Sequence, residues 1–378
     1  MEGSMAQLVF VHGVANRTTP SYKQNIEHRN ELFRNLMFAD TKVEIHSPMW
    51  GDGIPEIPPG VFETDSGVAT FSLNLGAPAA ISSGLTATDL RGTVTPSISD
   101  IGKQDAIAAL DIICSQIFDR AASENRPLTA QEMQAFRKAV NVIATDSADS
   151  MFAGDPDNAT LAEKFTADIP GSFGIGSSIR DAITAATDQI RHTVSKLGFG
   201  VVRDSLHPAV GLFIGDVFVY LKQGNHRKEI QKTVGDALTS AHALAKKEGG
   251  PLIVVGHSMG GVILADMLAN PTVCGLQSDI KVDALLTVGS QPGLFAALQV
   301  LARDPSTTTY RKPECVGLWL NVFDPIDPLA FRTEMIFGDS NDLAFNSVAG
   351  IVDTHSKYFQ RPQFYARCRV RLQENGIL

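Results

Sequence analysis

The chain has 378 residues, 44% of them hydrophobic and 19% charged, an ordinary globular balance that can bury a sizeable core. Its formal net charge of −9 argues against nucleic acid as the main partner and against standing attraction to anionic membranes. The four cysteines, Cys114, Cys274, Cys315 and Cys368, are scattered with no C-x-x-C, and read as reduced thiols without a catalytic motif. No apolar run reaches the roughly 18 residues of a membrane span. The nearest, Val210 to Leu221, is short and contains Asp216. Met1 to Ser4 reads as an appended leader before a start at Met5, and no signal peptide is visible, so the expected location is cytoplasmic.

Gln7 to Val11 is an apolar strand, followed at once by His12-Gly13-Val14. Thr19-Pro20 reads as N-cap and first position of a helix, with Tyr22, Ile26, Phe33 and Met37 at helical spacing. Lys42 to Pro48 is the next strand, giving β, α, β, the opening of a doubly wound sheet. From Gly51 to about Gly102 the chain is rich in Gly, Pro, Ser and Thr and reads as a long loop. Gln104 to Ala122 is a helix, and the Thr129-x-x-Glu132 capping box opens another to about Ile143. Asn158 to Phe165 is a shorter one, and Ile175, Ile179, Ile183, Ile190, Val194 and Leu197 mark a fourth. The turn Gly171 to Gly176 follows no strand and lacks a Lys-Ser/Thr pair, which argues against phosphate binding. Three regions result: 5–52, the first part of an α/β core; 53–205, a mostly helical cap or lid; and 206–378, the rest of the core.

Leu212 to Tyr220 is apolar, a helix or a strand, and His226 to Lys247 is an amphipathic helix stopped by Gly249-Gly250. Leu252 to Val255 is a short, continuous, β-branched-rich run, the mark of a strand buried on both faces of a parallel sheet. It ends in Gly256-His257-Ser258-Met259-Gly260-Gly261, and an apolar helix follows. Strand, G-x-S-x-G, helix is the setting of a nucleophile elbow, where a strained turn lifts a serine clear of the sheet. Asp283 to Val288 and Val316 to Phe323 are further strands; a last one lies within Leu343 to Val348, and Gln363 to Leu372 is a C-terminal helix or strand. No internal repeat, metal-ligand cluster or nucleotide loop is evident, so no metal and no cofactor are expected.

The GHSMGG elbow after its strand resembles the α/β-hydrolase superfamily, its lipase and esterase branches in particular. The resemblance implies a mostly parallel, doubly wound sheet with a helical cap, and Ser258 as nucleophile. It also implies an oxyanion hole from the backbone N–H groups of Met259 and of Val14, the latter following the early His-Gly turn, and then an acid and a histidine later in the chain. His12, Gly13 and His257, carried by the same two motifs, border the substrate on this reading, with His12 structural rather than catalytic.

The order Ser258, then Asp324 or Asp327, then His355 fits that pattern, each just past a predicted strand or on a loop near the carboxyl edge of the sheet. A serine hydroxyl needs a base to take its proton, a histidine can do so near neutral pH, and an acid fixes the imidazole tautomer. His28, His192, His226 and His242 fall on helical faces read as solvated; His46 and His207 precede the elbow; His355 alone follows the acid strand. Asp327 is favoured over Asp324, and Asp339, Asp342 and Asp353 read as surface or capping residues. The expected activity is hydrolysis of a carboxylic ester, lipase, phospholipase or esterase in type, on a small-molecule or lipid acyl ester, with transient contact at a lipid surface compatible with it. The alternatives are an amidase or peptidase using the same triad, and a non-catalytic binding protein on a hydrolase fold.

Overall fold

The computed structural model describes residues 4–55, 97–166, 179–186, 214–301, 303, 309–346 and 354–378. Strands β1 (Ala6–Val11), β2 (Val43–His46), β3 (Leu252–His257), β4 (Val282–Val288), β5 (Val316–Phe323) and β6 (Asn341–Ala344) form one sheet in the order β2-β1-β3-β4-β5-β6, every neighbouring pair parallel. β1 is buried throughout and β3 and β4 nearly so, which is why they read as unbroken apolar runs. The edges β2 and β6 are partly exposed. β6 reads Asn-Asp-Leu-Ala and starts two residues before the expected segment, because an edge strand carries no apolar run to announce it. From β1 the chain steps to β2 on one side and later to β3 on the other. The sheet therefore changes winding direction between β1 and β3, where ligands of open α/β sheets bind beyond the carboxyl ends.

Helix α1 (Pro20–Leu32) begins as expected, with the Thr19 hydroxyl accepting the Tyr22 N–H, and runs into a π turn at Phe33–Met37. α2 (Ile98–Gln104) lies inside the stretch read as loop. Its box is Ser97-x-x-Asp100, each side chain bonded to the other's backbone N–H. Residues 56–96 of that stretch lie outside the described residues. α3 (Ala106–Ser123) is capped by Asp105, so it starts two residues later than Gln104. α4 (Ala130–Ala144) carries the predicted Thr129/Glu132 box. α5 (Asn158–Thr166) and α6 (residues 179–186) complete the described part of 53–205, and the Gly171–Gly176 turn falls outside it. α7 (residues 214–221) is helical, and α8 (Asn225–Glu248) ends at Gly249 in the left-handed conformation. Then come α9 (Met259–Ala269), α10 (Pro292–Ala297), α11 (Glu334–Phe337) and α12 (Pro362–Glu374), the last a helix with proline at its first position.

Side-chain alternation along the strands divides the core in two. Leu8, Phe10, Ile253 and Val255 face one layer; Val9, Val11, Leu252 and Val254 face the other, against α7, α8 and α9. On the first face Leu110, Ile117, Phe136 and Ile183 of α3, α4 and α6 share a single buried cluster with the sheet and α12. The described helices of 53–205 thus share the buried core on this side of the sheet. Ile179 and Ile183 of α6 are core packing at 0% exposure. Among the described residues, no helix is long and apolar enough to cross a membrane.

Candidate active site

Ser258 connects β3 to α9 with φ 52° and ψ −126°, a strained conformation for a residue with a side chain. The glycines around it answer to close approach. A Cβ on Gly256 would sit 2.5 Å from the Gly261 Cα, and one on Gly260 would sit 2.1 Å from the Val11 carbonyl oxygen. The serine backbone is held by its N–H donating to Val288 O (3.0 Å) and by the Ser290 hydroxyl donating to its carbonyl (2.5 Å). Ser290 belongs to the Gly-Ser-x-Pro turn after β4, so two strands fix the elbow.

At this elbow the structure brings together residues 97 and 28 positions apart. The Ser258 Oγ lies 2.9 Å from His355 Nε2, and His355 Nδ1 lies 2.9 Å from Asp327 Oδ2. A carboxylate only accepts, so Nδ1 carries the proton and Nε2 is the acceptor for the serine hydroxyl. Burial opposes the charge on Asp327, but its bond and attraction to His355, then the Leu329 N–H and the Tyr358 hydroxyl, outweigh it and hold the carboxyl below its usual range. Asp324, the alternative acid, instead accepts the Ile326 N–H in a turn of its own loop (3.0 Å).

Tyr358 was not singled out from sequence, although it follows His355 by three residues. Its hydroxyl donates to Asp327 Oδ2 (2.8 Å) and accepts the Asp324 N–H (2.9 Å), so it ties both aspartate positions together. Burial, then the Asp327 charge, push its pKa up and keep it a protonated donor. The His257 ring faces the histidine loop. Burial, then the nearby His355, push its pKa down to about 3, and as a neutral ring it donates from Nε2 to the His355 carbonyl (2.9 Å).

The His12-Gly13-Val14 turn after β1 lies across from the elbow: a Cβ on Gly13 would come within 2.8 Å of the Ser258 Cβ. His12 does not contact this site through its ring. It stacks on Trp50 at 4.8 Å, donates from Nδ1 to Gly13 O (2.7 Å), and is held near a pKa of about 4 by burial, so its role is structural. Asn16 Nδ2 donates to both Gly13 O and Val14 O at 3.0 Å. With the Gly13 carbonyl held by His12 and Asn16, the planar trans peptide directs the Val14 N–H the opposite way. Ala15, at φ 59°, donates its N–H to Asp216 Oδ2 (2.8 Å), and Arg17 pairs with the same carboxylate (3.0 Å). The Met259 side chain is buried at 0% exposure, while its N–H belongs to the open first turn of α9.

Of the histidines read as solvated, His28 and His242 are buried (5% and 4% exposed) and His226 is exposed; His192 and His207, with Asp353, lie outside the described residues. Asp342 is a buried cap that accepts the Thr333 N–H (2.9 Å). Among the described residues, no group of three or more His, Cys, Asp or Glu side chains is placed to hold a metal ion. A cavity of about 1140 Å³ opens at the amino-terminal edge of the sheet, around Gly250, Val282 and Gly317, and shares no residue with the Ser258 constellation. Comparison with protein-family models, with curated proteins and with solved structures finds no match for this chain.

Proposed function

We propose that the chain is a serine hydrolase of the α/β-hydrolase type, cleaving a carboxylic ester through an acyl-enzyme. The observation that carries this reading is the unbroken relay of two 2.9 Å contacts from Ser258 through His355 to Asp327, set on a strained strand-to-helix turn where the sheet changes winding direction. Nothing in a structural turn requires a buried acid, an oriented imidazole and a serine hydroxyl in line.

On this reading His355 Nε2 takes the hydroxyl proton as Ser258 Oγ attacks the ester carbonyl carbon. Asp327 stabilises the imidazolium that forms. The carbonyl π bond opens to an oxyanion, for which the Val14 and Met259 N–H groups are the donors; each such donor contributes roughly 10²–10³-fold in kcat. Collapse breaks the bond to the alcohol, which leaves with the proton from His355. Water then attacks the acyl-enzyme as His355 takes its proton, and on collapse His355 returns that proton to the departing Ser258 Oγ as the acid is released. Ser258 and then water supply the nucleophiles in this route, and His355 carries the protons.

Turnover of p-nitrophenyl esters from acetate to palmitate, beside matched amides, tests the reading. The expected result is ester hydrolysis with a burst of p-nitrophenol. Turnover confined to amides would move the activity to an amidase, and absence of turnover on every ester would contradict ester hydrolysis.

A further inference from the structure

We infer that one face of α3 positions His355, so that the helical insertion is part of the catalytic apparatus. This rests on the hydrolase reading above. Asp111, Ser115 and Asp119 are spaced by four along α3 and share one side of that helix. Alongside them, in the reverse order, runs the segment that follows His355. Lys357 Nζ bonds both carboxylate oxygens of Asp119, at 2.7 and 2.9 Å. The Ser115 hydroxyl donates to Gln360 Oε1 at 3.2 Å. Arg361 donates to the Asp111 carbonyl at 2.8 Å, and Gln363 donates from Nε2 to the Asp111 carboxylate at 2.7 Å.

These contacts stand out against the rest of the helix. Elsewhere α3 buries Leu110, Ile113 and Ile117 in the core cluster it shares with α4 and α12. A fully buried carboxylate such as Asp111 is costly to desolvate and is retained only with partners. Its hydrogen-bonding partners given above, Arg361 at the backbone carbonyl and Gln363 at the carboxylate, lie at the start of α12, directly after the histidine segment. That segment has little order of its own: it consists of two short 3₁₀ turns, Thr354–Ser356 and Tyr358–Gln360. His257 holds it at the His355 carbonyl and Tyr358 pins it to Asp327. The α3 face holds it from behind. His355 must keep two contacts of 2.9 Å at once, so a small slide of the segment lengthens one of them.

The half-exposed Lys357–Asp119 contact is the place to test this, because cutting it leaves the buried ones intact. Lys357→Met and Asp119→Asn in the full chain should each slow fluorophosphonate labelling of Ser258 and lower kcat by roughly tenfold, with KM unchanged, as expected when a base is misplaced by a fraction of an ångström. The double variant should lose no more than the worse single, and Lys357→Arg should retain the wild-type rate. Melting temperatures should move by no more than about 2 °C, since partly exposed pairs contribute little stability. Lys246→Met, which cuts the exposed pair with Asp279 elsewhere on the molecule, should leave labelling unchanged. Wild-type labelling rates in both single variants, additive losses in the double, or a loss confined to KM would overturn the positioning role while leaving the hydrolase reading intact. A wild-type chain that the fluorophosphonate never labels would overturn both.

Discussion

Asp324 and Asp327 are three residues apart on a loop after β5, each is followed by proline, and sequence alone leaves both open as the acid. The Tyr358 hydroxyl separates their tasks: it takes the Asp324 N–H and gives its proton to the Asp327 carboxylate. Asp327→Asn should therefore lower kcat by roughly 10⁴-fold, through the wrong imidazole tautomer, with the fold intact. Asp324→Asn should keep most activity and lose about 1 kcal/mol of stability, the scale of a lost capping contact. Steady-state kinetics and denaturant melts on the two variants decide this; an inactive, folded Asp324→Asn beside an active Asp327→Asn would reverse the assignment. Ser258 and Asp327 were legible because each follows a strand with a clear apolar run, and His355 because it alone among the histidines follows the acid strand. Tyr358, Asn16 and Asp216 were not, since their roles depend on contacts between segments that only the fold brings together.

Among the elements, the β3–α9 turn is one whose sequence is tightly dictated. A Cβ on Gly260 would meet backbone, the Val11 and His12 carbonyls at 2.1 and 2.7 Å, which no side-chain movement relieves. Gly260→Ala should destabilise the fold by more than about 3 kcal/mol, the overpacking range or beyond, read from the shift in the unfolding midpoint. A midpoint within experimental error of wild type would mean that the elbow relaxes freely. The central strands could be read because burial on both faces demands β-branched runs, and β6 was placed two residues late because an edge strand makes no such demand. α2 was missed for a narrower reason: its capping box uses aspartate where glutamate or glutamine is the usual signal.

For the molecule as a whole, the insertion between β2 and β3 was legible as helical but not as to place. Helical spacing states which face is apolar, not whether that face covers a sheet or a site. The described helices share the buried core on one side of the sheet and bond the residues that follow His355. This arrangement makes global stability depend on pH through Asp111, which burial pushes up to about 7 against the opposing pull of Arg361 and Gln363. A carboxyl whose folded pKa exceeds its unfolded value contributes stability that is fully present below about pH 4 and lost as pH rises through about 7. Asp111→Asn cannot titrate, so its melting temperature should fall less between pH 5 and pH 8 than that of the wild type. An unchanged difference between the two pH values would show that Asp111 does not set this dependence.

The central claim, that Ser258 is a nucleophile activated by His355, is tested most directly by the mass of the intact chain after brief exposure to a fluorophosphonate. The account predicts a single adduct, mapped to Ser258, that is absent from Ser258→Ala and forms far more slowly in His355→Ala; removal of a triad serine typically costs on the order of 10⁶-fold in turnover. No adduct on the folded wild-type chain, or an adduct undiminished in Ser258→Ala, would contradict it.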